Sequence, residues 1–234
     1  MLRDSSLDNL KKYMDSLDTP QGKKLAYWIS DYVRFLKQEA TFQPEKLIRY
    51  KRGSIIKAHL GYRVGSEEGG LHYAIVMDTN NALYSPVVTV IPLTSIKSEG
   101  DSAKLPRANV NLGDEVHSLL DETLNRELTC AEEKLLVLSA DVEKSKASGG
   151  ITQEQKTQLQ QLRKQIQYCK NMLKESNRMK HGSIALVGQI TTISKIRIYD
   201  PQYSRDALSN IRISSKTLDL LDKKIQELFG PRSK

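Results

Sequence analysis

Two things are scarce in this 234-residue sequence: cysteine, present twice, and long apolar runs. No run approaches the roughly 20 residues that a membrane-spanning helix requires. Cys130 and Cys169 fit no metal-ligand spacing, and a reduced, packed pair is the expectation for them in a reducing compartment. The opening MLRDSSLDNLKKYMD lacks the apolar core of a secretion signal, so a cytoplasmic location is expected. Also missing are G-x-S-x-G, a Walker loop, H-E-x-x-H and any Cys–His pattern, which sets aside the common hydrolase, nucleotide-cradle and zinc templates.

What is present is charge, and it is unevenly placed. The formal net charge is +8. Residues 47–112 carry 8 basic and 5 acidic side chains and residues 182–234 carry 9 and 5, whereas residues 113–181 carry 11 of each and residues 1–46 carry 8 and 7. The surplus therefore sits in two separated blocks, as in a phosphate-binding module. A plain solubilising surface is the competing explanation.

Periodicity divides the chain in the same places. Residues 5–40 read as two helices, with Leu7, Leu10, Met14 and Leu17 at helical spacing. Thr19-Pro20 is expected to supply an N-cap and a first-turn proline. The second helix carries Leu25, Trp28, Ile29, Tyr32, Val33 and Leu36 on one wide face, which requires a cover. Residues 113–181 read as an inserted hairpin of two helices. Leu128, Ala131, Leu135, Leu138 and Val142 step by 3 and 4, as do Leu159, Leu162, Ile166, Cys169 and Leu173. Pairing about Ser148-Gly149-Gly150 sets Leu138 near Leu162, Leu135 near Ile166 and Ala131 near Cys169. Thr152 with Gln155 reads as a capping box. Ser214 or Ser215 opens a last helix with Leu218, Leu221, Ile225 and Leu228 on one stripe, and Gly230-Pro231 ends it.

The remaining blocks read as strands. Ile56, Ala58 and Leu60 alternate against Lys57 and His59, and the polar side of that strand, with His59, is expected at the surface. An acidic glycine-rich loop follows, Gly65-Ser66-Glu67-Glu68-Gly69-Gly70. Tyr73–Met77 and Val87–Leu93, joined by the turn-rich Asp78-Thr79-Asn80-Asn81, are nearly continuous apolar runs and are expected to be buried on both faces. Ser183–Val187 and Gln189–Ile198 read as strands that return to them.

In this order, Lys51-Arg52-Gly53, the Gly65–Gly70 loop, Pro92-Leu93-Thr94, a strand from Lys104-Leu105-Pro106 to Leu112, and Gln189–Lys195 resemble the MazF/PemK family of toxin endoribonucleases. The resemblance implies an α+β chain on a small SH3-like β-barrel of the MazF/PemK/CcdB type. The barrel would comprise residues 47–112 plus 182–234, with an N-terminal helical extension (1–46), a C-terminal helix and an inserted antiparallel coiled-coil hairpin (113–181). It implies a homodimer whose groove takes single-stranded RNA, an antitoxin partner that fills the groove, and cleavage by 2′-OH attack with no metal or other cofactor.

Such cleavage needs a base for the 2′-OH proton, an acid for the leaving 5′-oxygen and donors for the developing phosphorane charge. In the resembled family an Arg after the glycine-rich loop and the Thr ending the third strand do this work. The Thr corresponds to Thr94, but the Arg position holds His72. Histidine can exchange protons near neutral pH yet lacks arginine's permanent forked charge. Either His72 moves the proton, with Arg63, Lys97 or Lys195 supplying charge, or the site binds without cleaving. Glu67 corresponds to the family's loop glutamate. Ser66, Gln189 and Thr191 correspond to groove positions, which completes the expected site: His72, Thr94 and Glu67 for catalysis, with Arg63, Ser66, Lys97, Gln189, Thr191 and Lys195 for RNA.

Overall fold

Among the described residues, the chain folds around a seven-stranded antiparallel sheet with five α-helices. In this computed structural model, residues 2–96, 105–146, 150–179 and 182–231 are described. The strands are β1 (Ile55–His59), β2 (Leu71–Val76), β3 (Val87–Ser95), β4 (Val110–Gly113), β5 (Ser183–Ala185), β6 (Thr191–Ser194) and β7 (Ile198–Asp200). The spatial order is β4-β5-β3-β2-β1-β7, and β6 also pairs with β3. Strands from both sequence blocks thus interleave in one sheet. Nine-residue β3 organises it: one edge pairs with β2, while the other pairs with β6 over Val87–Val90 and with β5 over Leu93–Ser95.

Both faces of the central strands are buried, as their unbroken apolar runs require. One face carries Ile55, Ile75, Ile91 and Leu93 into the larger core, and the other carries Ile56, Ala58, Ala74, Val76 and Val90 into a second. The two outer strands, β4 and β7, do not pair with each other among the described residues. Both are short, and each joins its neighbour through a register shift, a device that bends a sheet and ends its pairing.

Local chemistry explains two departures from the expected strands. The segment expected from Lys104 to Leu112 becomes a strand only at Val110, because Asn109 N–H closes a turn on the Pro106 carbonyl at 2.9 Å; Lys104 lies outside the described residues. The expected Gln189–Ile198 strand is broken into β6 and β7 by a single 3₁₀ turn, Lys195–Arg197, capped by the Ser194 hydroxyl. The Lys51-Arg52-Gly53 motif is structural. Gly53 has φ +83°, and an added Cβ would lie 3.2 Å from Leu218. Arg52 pairs with Asp222 and donates to the Met77 carbonyl.

Helices α1 (Leu2–Ser16) and α2 (Thr19–Glu39) precede the sheet. The N-cap of α2 is Asp18 rather than Thr19: its carboxylate accepts from Gln21 N–H at 2.8 Å, one residue ahead of Pro20's neighbour. Phe35, outside the expected stripe, is buried with Leu25, whereas Tyr32, Val33 and Leu36 stay substantially exposed. The helix is held by its rings: Trp28 stacks on His59 with centroids 4.7 Å apart, and Phe35 meets Tyr199 edge-on at 6.5 Å. His59 is therefore buried under α2 instead of lying at the surface.

Helices α3 (Glu115–Lys146) and α4 (Gln153–Ser176) form the arm. Thr152 and Gln155 make the reciprocal capping box, at 2.9 and 3.2 Å. Ala131, Leu138 and Leu162 close on each other, but Leu135 and Ile166, expected to face one another in the seam, are 51% and 38% exposed. Two helices alone bury only a narrow stripe, so positions flanking it remain in solvent. The lower half of the arm is different: Val116, Leu120, Leu124, Tyr168, Cys169 and Met172 belong to the main core. Cys130 and Cys169 are free thiols. The closing helix α5 (Ser215–Phe229), capped by Ser214, lays Leu218, Leu221, Ile225 and Leu228 onto that same core.

Candidate active site

The β1–β2 connection builds the site. Leu60 N–H donates to the Gly70 carbonyl and Gly70 N–H to the Gly61 carbonyl, both at 2.7 Å, so the loop is pinned shut at its base. Gly61 must be glycine: its φ is +102°, and a Cβ would come within 2.8 Å of the Arg197 guanidinium. At the loop's far side Gln189 spans the gap between the two sequence blocks. Its Oε1 accepts from Glu68 N–H at 2.6 Å and its Nε2 donates to the Ser66 carbonyl at 3.3 Å.

His72 stands where this loop meets β2, opposite Ala58 in the ladder. Its Nδ1 is 3.3 Å from the Leu93 carbonyl and its Nε2 is 2.9 Å from the Glu68 carboxylate. A carbonyl and a carboxylate can only accept, so both ring nitrogens must carry protons to satisfy both contacts. The Glu68 hydrogen bond accordingly raises the imidazole's pKa above its ordinary value, against the opposing effect of burial and with help from the Leu93 and Gly69 backbone. The surroundings favour the doubly protonated ring, which would present two directed N–H groups at the position where the resembled family has a guanidinium. Glu68 had no place in the sequence-based site. The signal for it was the i, i+4 spacing to His72, which is unremarkable outside a helix.

Two cavities meet at the loop. One, of about 580 Å³, is lined by Arg63, Glu67, Glu68 and His72 and walled by α2. The other, of about 450 Å³, is lined by Arg63, Ser66, Glu67, Glu68, Gln189 and Thr191. Arg63, Glu67 and Glu68 border both. Arg63 is tethered by its Nε to the Leu60 carbonyl at 2.9 Å, leaving its tip 3.8 Å from the Glu67 carboxylate, which is 60% exposed.

Thr94 lies on β3, whose ladder with β2 ends at Ala74↔Pro92. Beyond that point Thr94 pairs with Ile184 of β5, and it follows Leu93, whose carbonyl meets His72 Nδ1. Its hydroxyl makes no hydrogen bond among the described residues, but it borders neither cavity.

Of the expected RNA contacts, Lys195 is turned inward. Lys195 is 1% exposed; its ammonium donates to the Ala82 carbonyl at 3.0 Å and lies 5.7 Å from the Tyr50 ring. Burial lowers its pKa, with only Asp78 opposing. A side chain spent on holding a turn from inside is not available to a phosphate. Lys97 lies outside the described residues. Among the described residues, no three His, Cys, Asp or Glu side chains converge as ligands for one metal ion, and no helix is long and apolar enough to cross a membrane.

A family model described as "PemK-like, MazF-like toxin of type II toxin-antitoxin system" matches residues 51–169. The match begins at the Lys51-Arg52-Gly53 turn and continues through β4 and α3 to Cys169 within α4. No curated protein matches the chain.

Proposed function

The chain belongs to the PemK-like, MazF-like toxins of type II toxin–antitoxin systems, and we propose that it is a metal-independent endoribonuclease of that family which cleaves single-stranded RNA by 2′-OH attack. The family implies an RNA substrate and an antitoxin partner. We extend this to a cytoplasmic homodimer on an SH3-like barrel with a coiled-coil arm, its groove shared by RNA and antitoxin.

The observation that carries the reading is the His72–Glu68 pair beside Arg63. Transfer of an RNA phosphodiester to its own 2′-oxygen needs a proton acceptor and a proton donor near neutral pH. A carboxylate and an imidazolium in hydrogen-bond contact supply both. In this scheme the incoming phosphate displaces Glu68 from Nε2. Glu68 takes the 2′-OH proton, the 2′-oxygen attacks phosphorus, and His72 gives its proton to the departing 5′-oxygen. The products are a 2′,3′-cyclic phosphate and a 5′-OH. Arg63 and the Thr94 hydroxyl serve the charge that develops on the phosphorane oxygens, and Glu67, more exposed, borders the strand's path. Ser66, Gln189 and Thr191 line that path, and Gln189 also sets the loop that carries Glu68.

The test is cleavage of mixed-sequence RNA in EDTA with both new ends mapped. Wild type is expected to leave cyclic phosphate and 5′-OH ends. His72→Ala is expected to lose about 10²–10⁴-fold in rate, the usual contribution of one acid–base group. Wild-type protein that binds RNA without nicking it would replace the enzyme with a binding module on the same groove.

A further inference from the structure

The N-terminal helices lie before residue 51, where the family match begins. Yet α2 forms one wall of the cavity that contains His72, contributing Lys24, Tyr27 and Trp28. Trp28 is fixed from beneath by the His59 stack and by the Arg197 guanidinium 5.6 Å from its ring. Arg34 and Tyr199 both bond to Asp31, at 2.9 Å each, which clamps the next turn of the helix to β7. The wall is therefore rigid, and what it presents is open. Tyr27 is 75% exposed, and among the described residues its ring stacks on nothing and its hydroxyl makes no hydrogen bond. Lys24 is exposed and has no carboxylate partner among the described residues, unlike His72 and Arg63 in the same cavity. Tyr62, from the β1–β2 loop, lines it too and is 42% exposed.

An unpaired cation one helical turn from an unstacked ring, beside a site that acts on a phosphodiester, matches the two halves of a nucleotide: a phosphate for the ammonium and a base face for the ring. We infer that α2 is a nucleobase subsite, in which a base flanking the scissile phosphate stacks on Tyr27 while Lys24 takes the adjoining phosphate. The inference rests on the endoribonuclease reading above and extends it to a specificity element outside the matched family region. Because stacking tolerates any base but favours large ones, the subsite biases cleavage toward sites with a purine at the flanking position.

Steady-state cleavage of one oligoribonucleotide that wild type cuts, together with mapped ends on mixed-sequence RNA, tests this with Tyr27→Ala, Tyr27→Phe and Lys24→Ala. Both positions are exposed, so folding is not at stake. Tyr27→Ala is expected to raise KM about tenfold, the scale of one lost base stack, with kcat little changed and the flanking-base preference flattened. Tyr27→Phe keeps the ring and is expected to restore wild-type behaviour. Lys24→Ala is expected to reduce the slope of log affinity against log salt by about 0.7. If wild type cuts RNA but Tyr27→Ala keeps its KM and its preference, the subsite is wrong and the enzyme stands. If wild type neither cuts nor binds RNA, the enzyme reading falls and takes the subsite with it.

Discussion

Glu175 on α4 reaches the sheet beside the site, and removing it offers a direct measure of how the arm and the sheet depend on each other. Its carboxylate is only 8% exposed; it pairs with Lys57 of β1 and accepts from the Tyr73 hydroxyl at 2.5 Å. The Lys57 ammonium also sits 5.1 Å from the Tyr73 ring. Burial, then the Glu175 contact, pushes the Tyr73 phenol's pKa up, so it remains a donor. Glu175→Ala strands an ammonium whose side chain is 16% exposed and a phenol without an acceptor. Breaking a buried pair by removing one partner costs about 3–5 kcal/mol; the residual exposure of Lys57 brings the expectation to the lower end, about 3 kcal/mol. With a urea m-value of about 2 kcal/mol/M, the unfolding midpoint should fall by about 1.5 M. The double variant Lys57→Met/Glu175→Leu removes both charges and should recover most of that loss, because paired burial is close to neutral against an apolar replacement. A single-variant loss below about 1 kcal/mol, on the scale of a surface pair, would refute the argument. So would a double variant as unstable as the single. Since Tyr73 follows His72 on β2, cleavage by Glu175→Ala should weaken even where the protein is folded.

Other expectations follow from the same contacts. Glu68→Gln removes both the proton acceptor of the proposed scheme and the carboxylate that raises His72, so cleavage should fall about 10²–10⁴-fold and the alkaline limb of the residual rate should move to lower pH, as steady-state rates across pH would register. The stability contributed by that pair is fully present below the imidazole's ordinary 6.5 and is lost as pH rises through its raised folded value, so Glu68→Gln should cost most in acid and least in base. Gln189→Ala leaves the Glu68 N–H without its partner and frees the loop; about 1–3 kcal/mol of loop stability should vanish, read as faster amide exchange over residues 65–70. Burial pushes Asp200 up from 3.8 to about 6. Its protonated form is favoured in the fold, so stability should decline by about 1 kcal/mol between pH 5 and pH 8, and Asp200→Asn should remove that slope in thermal melts.

The arm shows where sequence patterning stops being informative. Heptad steps in α3 and α4 correctly announce two helices and their capping box, because both depend on residues within four positions of each other. They do not distinguish Leu138, which is buried, from Leu135, which is half exposed. They also give no hint that Val116, Leu120 and Met172, all at 0% exposure, belong to the sheet's core. Deleting residues 114–180 would therefore unmake that core, whereas shortening the arm beyond Ala131 would not. Lys195 is a similar case: a basic residue in a basic block reads as a phosphate contact, and only the turn that points it inward shows otherwise.

Sequence alone determined the helices, the central strands and the glycine-rich turn, since these follow from periodicity, caps and backbone freedom within a few residues. It also determined the family, through motifs kept in order along the chain, and it named His72 as the departure in that family's site. Tertiary structure alone decided what His72 is. The imidazole's charge depends on a carboxylate and a carbonyl that converge on it from a loop and a neighbouring strand, and its cavity wall comes from a helix more than 40 residues earlier. Protonation and access are set by distance and burial in space, and no local pattern encodes either.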